Sequence, residues 1–219
     1  MFFRYAEERG WCKPDIARGI ITPNRTRIHI PPQGRAWDEV RRLLKSISEC
    51  DLPGIRAKAI VSLMATYGLR SREIERLTIL DFDWDKNTLT VRRSKRGPAQ
   101  RYPLERQVAR SVLRYAKVRP MCSCEQLFVT LNPPYRAVTR RALGMLVRHR
   151  LAKIGITTGR LGPHSIRHAR ATQLLQNGMS LNQVSDFLGH RCLDATLIYA
   201  KFNLKLLRPV ADFDIGDLV

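Results

Sequence analysis

Two side chains near the C-terminus could do chemistry together, His190 and Tyr199 in "DFLGHRCLDATLIYAK" (186–201). A phenol holds its proton to a pH of about 10, so Tyr199 becomes a nucleophile only where its surroundings stabilise the charge it develops. Attack on a phosphodiester needs that nucleophile, positive donors for the non-bridging oxygens and an acid for the leaving oxygen. Without a divalent metal, the donors must be guanidinium groups. The same two residues also suit a plain amphipathic surface, so the choice depends on what the rest of the chain supplies.

Three further stretches supply candidates. In "TYGLRSREIERL", Arg70 lies just past a helix cap, where a side chain can point into a cleft. Glu73, three residues on, can hold its guanidinium by a charge-assisted hydrogen bond, although a simple surface ion pair has the same spacing. In "RRSKRGPAQRY", Lys95 sits at an expected hairpin tip and is the candidate acid. Arg92, Arg93, Arg96 and Arg101 crowd it and read as a DNA-binding, phosphate-contacting patch. In "GPHSIRHARAT", His164 and Arg167 are three apart near a helix start, so an imidazole and a two-pronged donor face one point. His168 gives that stretch an HxxxH spacing, but it lacks the carboxylate base of H-E-x-x-H, and Arg167 and Arg170 would repel a dication. Cys122 and Cys124 form C-x-C with no second pair, so no metal site is expected there either.

Elements must position these groups, and the patterns give them. "FFRYAEER" reads as a short amphipathic helix, and "CKPDIARGIITPNRTRIHIPPQG" as a linker without sustained period. The compact part is expected from about Ala36. There Trp37, Val40, Leu43, Leu44 and Ile47 share one helical stripe. "IRAKAIVSLMATYG" reads as a buried helix capped at Gly68, and Ser71 as the N-cap of the next. Alternating runs around "DKN" and "SKRGPAQ" predict a small antiparallel sheet. Helical patterns return in "ERQVARSVLRYAK", "RRALGMLVRHRLAKIG", "SIRHARATQLLQNG" and "LNQVSDFLG". The expected fold class is mainly α with a small antiparallel β-sheet (α+β).

Composition narrows the partner. Thirty-nine Lys and Arg against 19 Asp and Glu leave a net charge of +20 over 219 residues. Such an excess attracts a polyanion, and because it is spread along the whole chain, nucleic acid fits better than a membrane surface. Aromatic residues make up only 7% and are scattered, so the stacking platform of an RNA-binding module is missing. Five cysteines without a framework spacing, and charges where a signal peptide needs an apolar stretch, point to a cytoplasmic location.

The ordered set Arg70, Lys95, His164, Arg167, His190 and Tyr199, in these local contexts, resembles the catalytic domain of the tyrosine recombinase (phage integrase) family. The resemblance covers about Ala36 to near the C-terminus and implies that family's catalytic-domain fold. It implies a reaction without metal or cofactor on double-stranded DNA. Tyr199 would form a 3′-phosphotyrosyl link, Arg70 and Arg167 would stabilise the phosphorane, and His190 would add a hydrogen bond. Lys95 would protonate the 5′-oxygen with His164 assisting, and Glu73 would buttress Arg70. Residues 1–30 then look like the last helix of an N-terminal core-binding domain plus linker, and 31–215 like the catalytic domain. Implied partners are a self-assembly on DNA, a tetramer in the family, through the tail carrying Leu204, Leu207 and Val210, and an accessory recombinase that supplies the missing clamp. Alternative readings are an inactive DNA-binding remnant of a mobile element and a type IB topoisomerase-like relaxation of supercoils.

Overall fold

Apolar residues occupy every face of "LPGIRAKAIVSLMATY", and a helix of that kind is stable only when surrounded. A computed structural model, which describes residues 2–13, 16, 36–93 and 99–189, places it at the centre of the larger of two compact units. The units are residues 1–30 and 31–219. Within the first, α1 spans Phe2–Glu8, and the Trp11 ring meets Tyr5 edge-on at 5.8 Å.

The second unit opens with α2 (Trp37–Ser46), whose Val40 and Leu43 are buried as the stripe predicts. The central helix is α3 (Leu52–Tyr67), started by the Asp51 carboxylate accepting from the Gly54 N–H at 2.8 Å. It stops at Gly68 in the left-handed conformation, φ 62°. Then come α4 (Ser71–Arg76), a 3-10 turn (Ile79–Asp81), and a three-stranded antiparallel sheet of β1 (Phe82–Asp83), β2 (Thr88–Arg92) and β3 (Ala99–Pro103) in that order. The remaining helices are α5 (Arg106–Val118), α6 (Arg140–Lys153), α7 (Pro163–Gln176) and α8 (Leu181–Leu188). Helices α5, α7 and α2 pack around α3, and α8 packs on α7. The fold is thus mainly helical with one small sheet, as expected.

One cap differs from expectation. Ser71 is the first helical residue of α4, and Arg70 holds the N-cap position in extended conformation. The reason is Glu73, whose carboxylate turns back to accept the Arg70 backbone N–H at 2.8 Å and so satisfies the helix entrance itself.

Strand register decides which hairpin side chains point inward. Leu89 lies opposite Tyr102 and Val91 opposite Gln100, and Leu89, Val91 and Tyr102 are buried. Tyr67, the last residue of α3, donates its hydroxyl to the Pro103 carbonyl and accepts from the Glu105 N–H, at 3.0 and 2.9 Å. That pair of bonds fixes the end of the sheet against the end of the central helix. None of the described helices is long and apolar enough to cross a membrane.

Candidate active site

Three helix ends meet beside this junction. Gly68 ends α3, Arg70 starts α4, and "GPHSIR" starts α7 with Pro163 in its first turn. Leu69, Arg70, Ser71, Pro163, His164 and Arg167 line one hollow between them. Arg70 and Arg167 are far apart in sequence, so only the packing of α7 on α3 brings them together.

Each guanidinium is held differently. Arg167 is almost wholly buried and donates to the Gly68 carbonyl at 2.6 Å and the Leu188 carbonyl at 2.7 Å. It thereby joins the last turn of α3 to the last turn of α8. Arg70 keeps 34% of its side chain exposed. It donates to Glu73 Oε1 at 2.9 Å and to the Gly189 carbonyl at 3.2 Å. Of the five N–H donors on its guanidinium, the others have no partner among the described residues. Glu73 is 2% exposed, and the guanidiniums of Arg70 and Arg93 pair with its carboxylate at 2.9 and 2.8 Å.

Burial and neighbouring cations favour the neutral imidazole at His164 and His168. Partial burial lowers the His164 pKa, and Arg167, Arg70 and Arg160 add to the effect. His168, one turn deeper, falls to about 4, through burial first, then His164, Arg160 and Arg167. A neutral His164 beside two guanidiniums can accept a proton or pass one on; it does not add a third positive charge.

The hairpin arginines separate. Arg92 and Arg101 face outward, as a phosphate-contacting patch requires, with Arg92 3.8 Å from Asp81. Arg93 turns inward instead, and its side chain is only 10% exposed. It donates to Glu73 Oε2 at 2.8 Å, Gln100 Oε1 at 2.9 Å, the Phe187 carbonyl at 3.0 Å and the Tyr102 hydroxyl. Four of its five N–H donors are used within the protein. The sequence carried a signal for this: Leu89, Val91 and Arg93 share one parity of the strand, and the first two are core residues. Gln100 and Tyr102 were likewise unremarked as sequence. Gln100 Nε2 donates to the Asp186 carbonyl at 2.7 Å, and the Tyr102 hydroxyl reaches the Phe187 carbonyl at 2.5 Å.

The expected positions Lys95, Arg96, His190 and Tyr199, and the tail residues Leu204, Leu207 and Val210, lie outside the described residues. Their neighbours in the chain do not. Arg93 precedes Lys95 by two positions, and Gly189, whose carbonyl accepts from Arg70, directly precedes His190.

The sequence matches the Phage integrase family over residues 36–205, which takes in the hollow and every candidate catalytic position. The chain belongs to the phage integrase, or tyrosine recombinase, family. Among its relatives, the integrase/recombinase y4gC of Sinorhizobium fredii is 39% identical over 177 residues, 80% of this chain and 91% of the relative. Tyrosine recombinase XerD of Neisseria meningitidis is 35% identical over 195 residues, 83% of this chain and 65% of the relative. The integrase/recombinase y4rF of S. fredii is 33% identical over 214 residues, and there the chain spans only half of the relative's length. In three dimensions, a crystal structure of XerA recombinase matches with a TM-score of 0.68 at 27% identity, covering 82% of this chain and 62% of XerA. A post-cleavage complex of XerH with its difH substrate shares the fold, with the same TM-score at 23% identity over 84% of this chain and 53% of XerH.

Proposed function

We infer that this recombinase-family chain breaks and rejoins DNA through a covalent link to Tyr199. The observation that carries the reading is the hollow itself, where Arg70, Arg167 and His164 converge from two helix starts. In the forward step the Tyr199 oxygen attacks the scissile phosphorus, the bond to the 5′-oxygen breaks, and a 3′-phosphotyrosyl link remains. The tyrosine proton leaves through the His164 side of the site, and Lys95 protonates the departing 5′-oxygen, so charge and atoms balance. Arg70 and Arg167 hold the two non-bridging oxygens while negative charge builds on them, and His190 adds a further hydrogen bond. Attack of a partner strand's 5′-hydroxyl on the link reverses the chemistry and exchanges strands, with the bond energy conserved.

Several broader statements rest on the same reading. DNA is the substrate that a +20 chain of this family suits, and XerH, which shares the fold, is seen bound to its palindromic difH substrate. Residues 31–215 act as the catalytic domain, and 1–30 as the end of a core-binding domain. The chain spans half of the length of y4rF, and self-assembly on DNA through the tail completes the particle.

The test is a nicked duplex that loses its 5′-hydroxyl fragment on cleavage, drawn from DNA flanking the coding region. A protein–DNA adduct should survive denaturing electrophoresis for the native chain and vanish for Tyr199→Phe, with DNA affinity little changed. An adduct of undiminished yield in that variant would rule out Tyr199 as the nucleophile.

A further inference from the structure

The C-terminal end of α8 is gripped to an unusual degree. The last carbonyls of a helix have no partners within it and carry the negative end of its dipole. Here four consecutive carbonyls each receive a side chain from a different part of the fold: Asp186 from Gln100, Phe187 from Arg93, Leu188 from Arg167, and Gly189 from Arg70. Three guanidiniums thus meet one helix end, and two of them share a single buried carboxylate. Glu73 divides that carboxylate, with Oε1 on Arg70 and Oε2 on Arg93.

We propose that Arg93 is a positioning residue that sets both the place and the effective charge of Arg70. This deepens the strand-cleavage reading and rests on it. The placement follows from geometry. Arg93 ties β2 to the end of α8, and Gly189 sits so close that a Cβ there would come within 2.6 Å of Arg93 Nε. The Gly189 carbonyl in turn holds Arg70 NH2. A change in Arg93 is therefore passed through one residue of backbone to the guanidinium in the hollow. The effective charge of Arg70 depends on Glu73. A carboxylate that also neutralises Arg93 withdraws less from Arg70, which is left more positive toward a phosphate. Without Arg93, the whole carboxylate charge falls on Arg70, and the hollow loses attraction where the transition state needs it. Arg93 itself reaches no solvent-facing phosphate, because Glu73, Gln100, Tyr102 and Phe187 occupy it.

Two readouts on the full chain test this, with Arg93→Gln and Arg93→Lys as variants. The first needs no DNA: amide hydrogen exchange of peptides within 181–189, compared with α6 peptides within 140–153. Arg93→Gln should speed exchange at the end of α8 by roughly tenfold or more, the scale set by lost charge-assisted hydrogen bonds, and leave α6 unchanged. The second is single-turnover adduct formation on the nicked duplex beside the equilibrium affinity for the same DNA. Adduct formation should fall by about tenfold or more while affinity stays within about threefold, and Arg93→Lys should recover part of the rate because charge returns without the fork. Adding Glu73→Gln to Arg93→Gln should cost less than the two separate effects combined. The proposal is overturned if Arg93→Gln weakens DNA affinity and its salt dependence while α8 exchange and the single-turnover rate are unchanged, the behaviour of a phosphate contact. If the native chain forms no adduct, strand cleavage by this chain fails, and the exchange measurement still decides for or against the positioning role.

Discussion

Arg92 and Arg93 are chain neighbours of the same chemistry, yet one is 73% exposed and the other 10%. The first lies 3.8 Å from Asp81 in solvent, and the second is locked into the junction of β2, α4 and α8. A pleated strand turns adjacent residues to opposite faces, so a one-residue step converts a screened surface charge into a buried structural one. The wider lesson is that a basic chain spends its arginines on two tasks. On the outer face they give diffuse attraction to a polyanion; on the inner face they join helix ends that were never adjacent in sequence.

The contrast can be broken most severely at Glu73. Replacing it by Ala leaves Arg70 and Arg93 without their shared anion in a site only partly open to water, and the expected loss is about 3–5 kcal/mol of folding stability. Urea denaturation would check this, and a loss below about 1 kcal/mol would mean the buried cations find other partners. Next in size is the acid response. His168 is held neutral with a pKa near 4, against an ordinary value of 6.5. The unfolded chain therefore binds a proton between those values when the folded one does not, so stability is full above pH 6.5 and is lost as pH falls toward 4. The expected loss is on the order of 2 kcal/mol between pH 7 and 4.5, and the lowered pKa of His164 works in the same direction. Denaturation curves at those two pH values should converge for His168→Leu more than for the native chain.

Gly189→Ala comes third. It forces a side chain into the left-handed region at φ 61° and against Arg93, for a stability loss of about 1–2 kcal/mol and faster exchange at the end of α8. Arg92→Gln is the smallest. Stability should stay within about 0.5 kcal/mol, while the slope of DNA affinity against salt should fall by about one ion. An unchanged slope would take Arg92 out of the DNA-facing surface.

Much of the inner architecture was legible because it rests on period. The stripe through Val40 and Leu43, the largely buried α3 and its cap at Gly68 emerged where the spacing put them. The Arg70–Glu73 pair was legible too, being local, and so was the His164–Arg167 face. What spacing could not give was the meeting of these two stretches, or the four-carbonyl grip on α8, since both depend on the packing of α7 and α8 on elements distant in sequence. The inward turn of Arg93 was written in strand parity, but a run of basic residues masks it. The segment 119–139 was illegible for a different reason. It has no repeating pattern, and it is held by side chains donating to main-chain carbonyls, Arg119 to Leu127 and Cys124 and Arg56 to Val129. The expected cap at Ser71 failed by one residue, because a carboxylate three positions on did the capping.

The central claim is that Arg70 and Arg167 serve the negative charge of one phosphate, and it has a direct chemical test. A nicked duplex can carry a methyl group in place of one non-bridging oxygen at the scissile position, which makes the linkage neutral. Arg70→Ala should form almost no adduct on the ordinary phosphodiester and should regain adduct formation on the neutral linkage, where less charge needs compensation. A variant equally inert on both linkages, in a protein whose native form cleaves both, would contradict the claim.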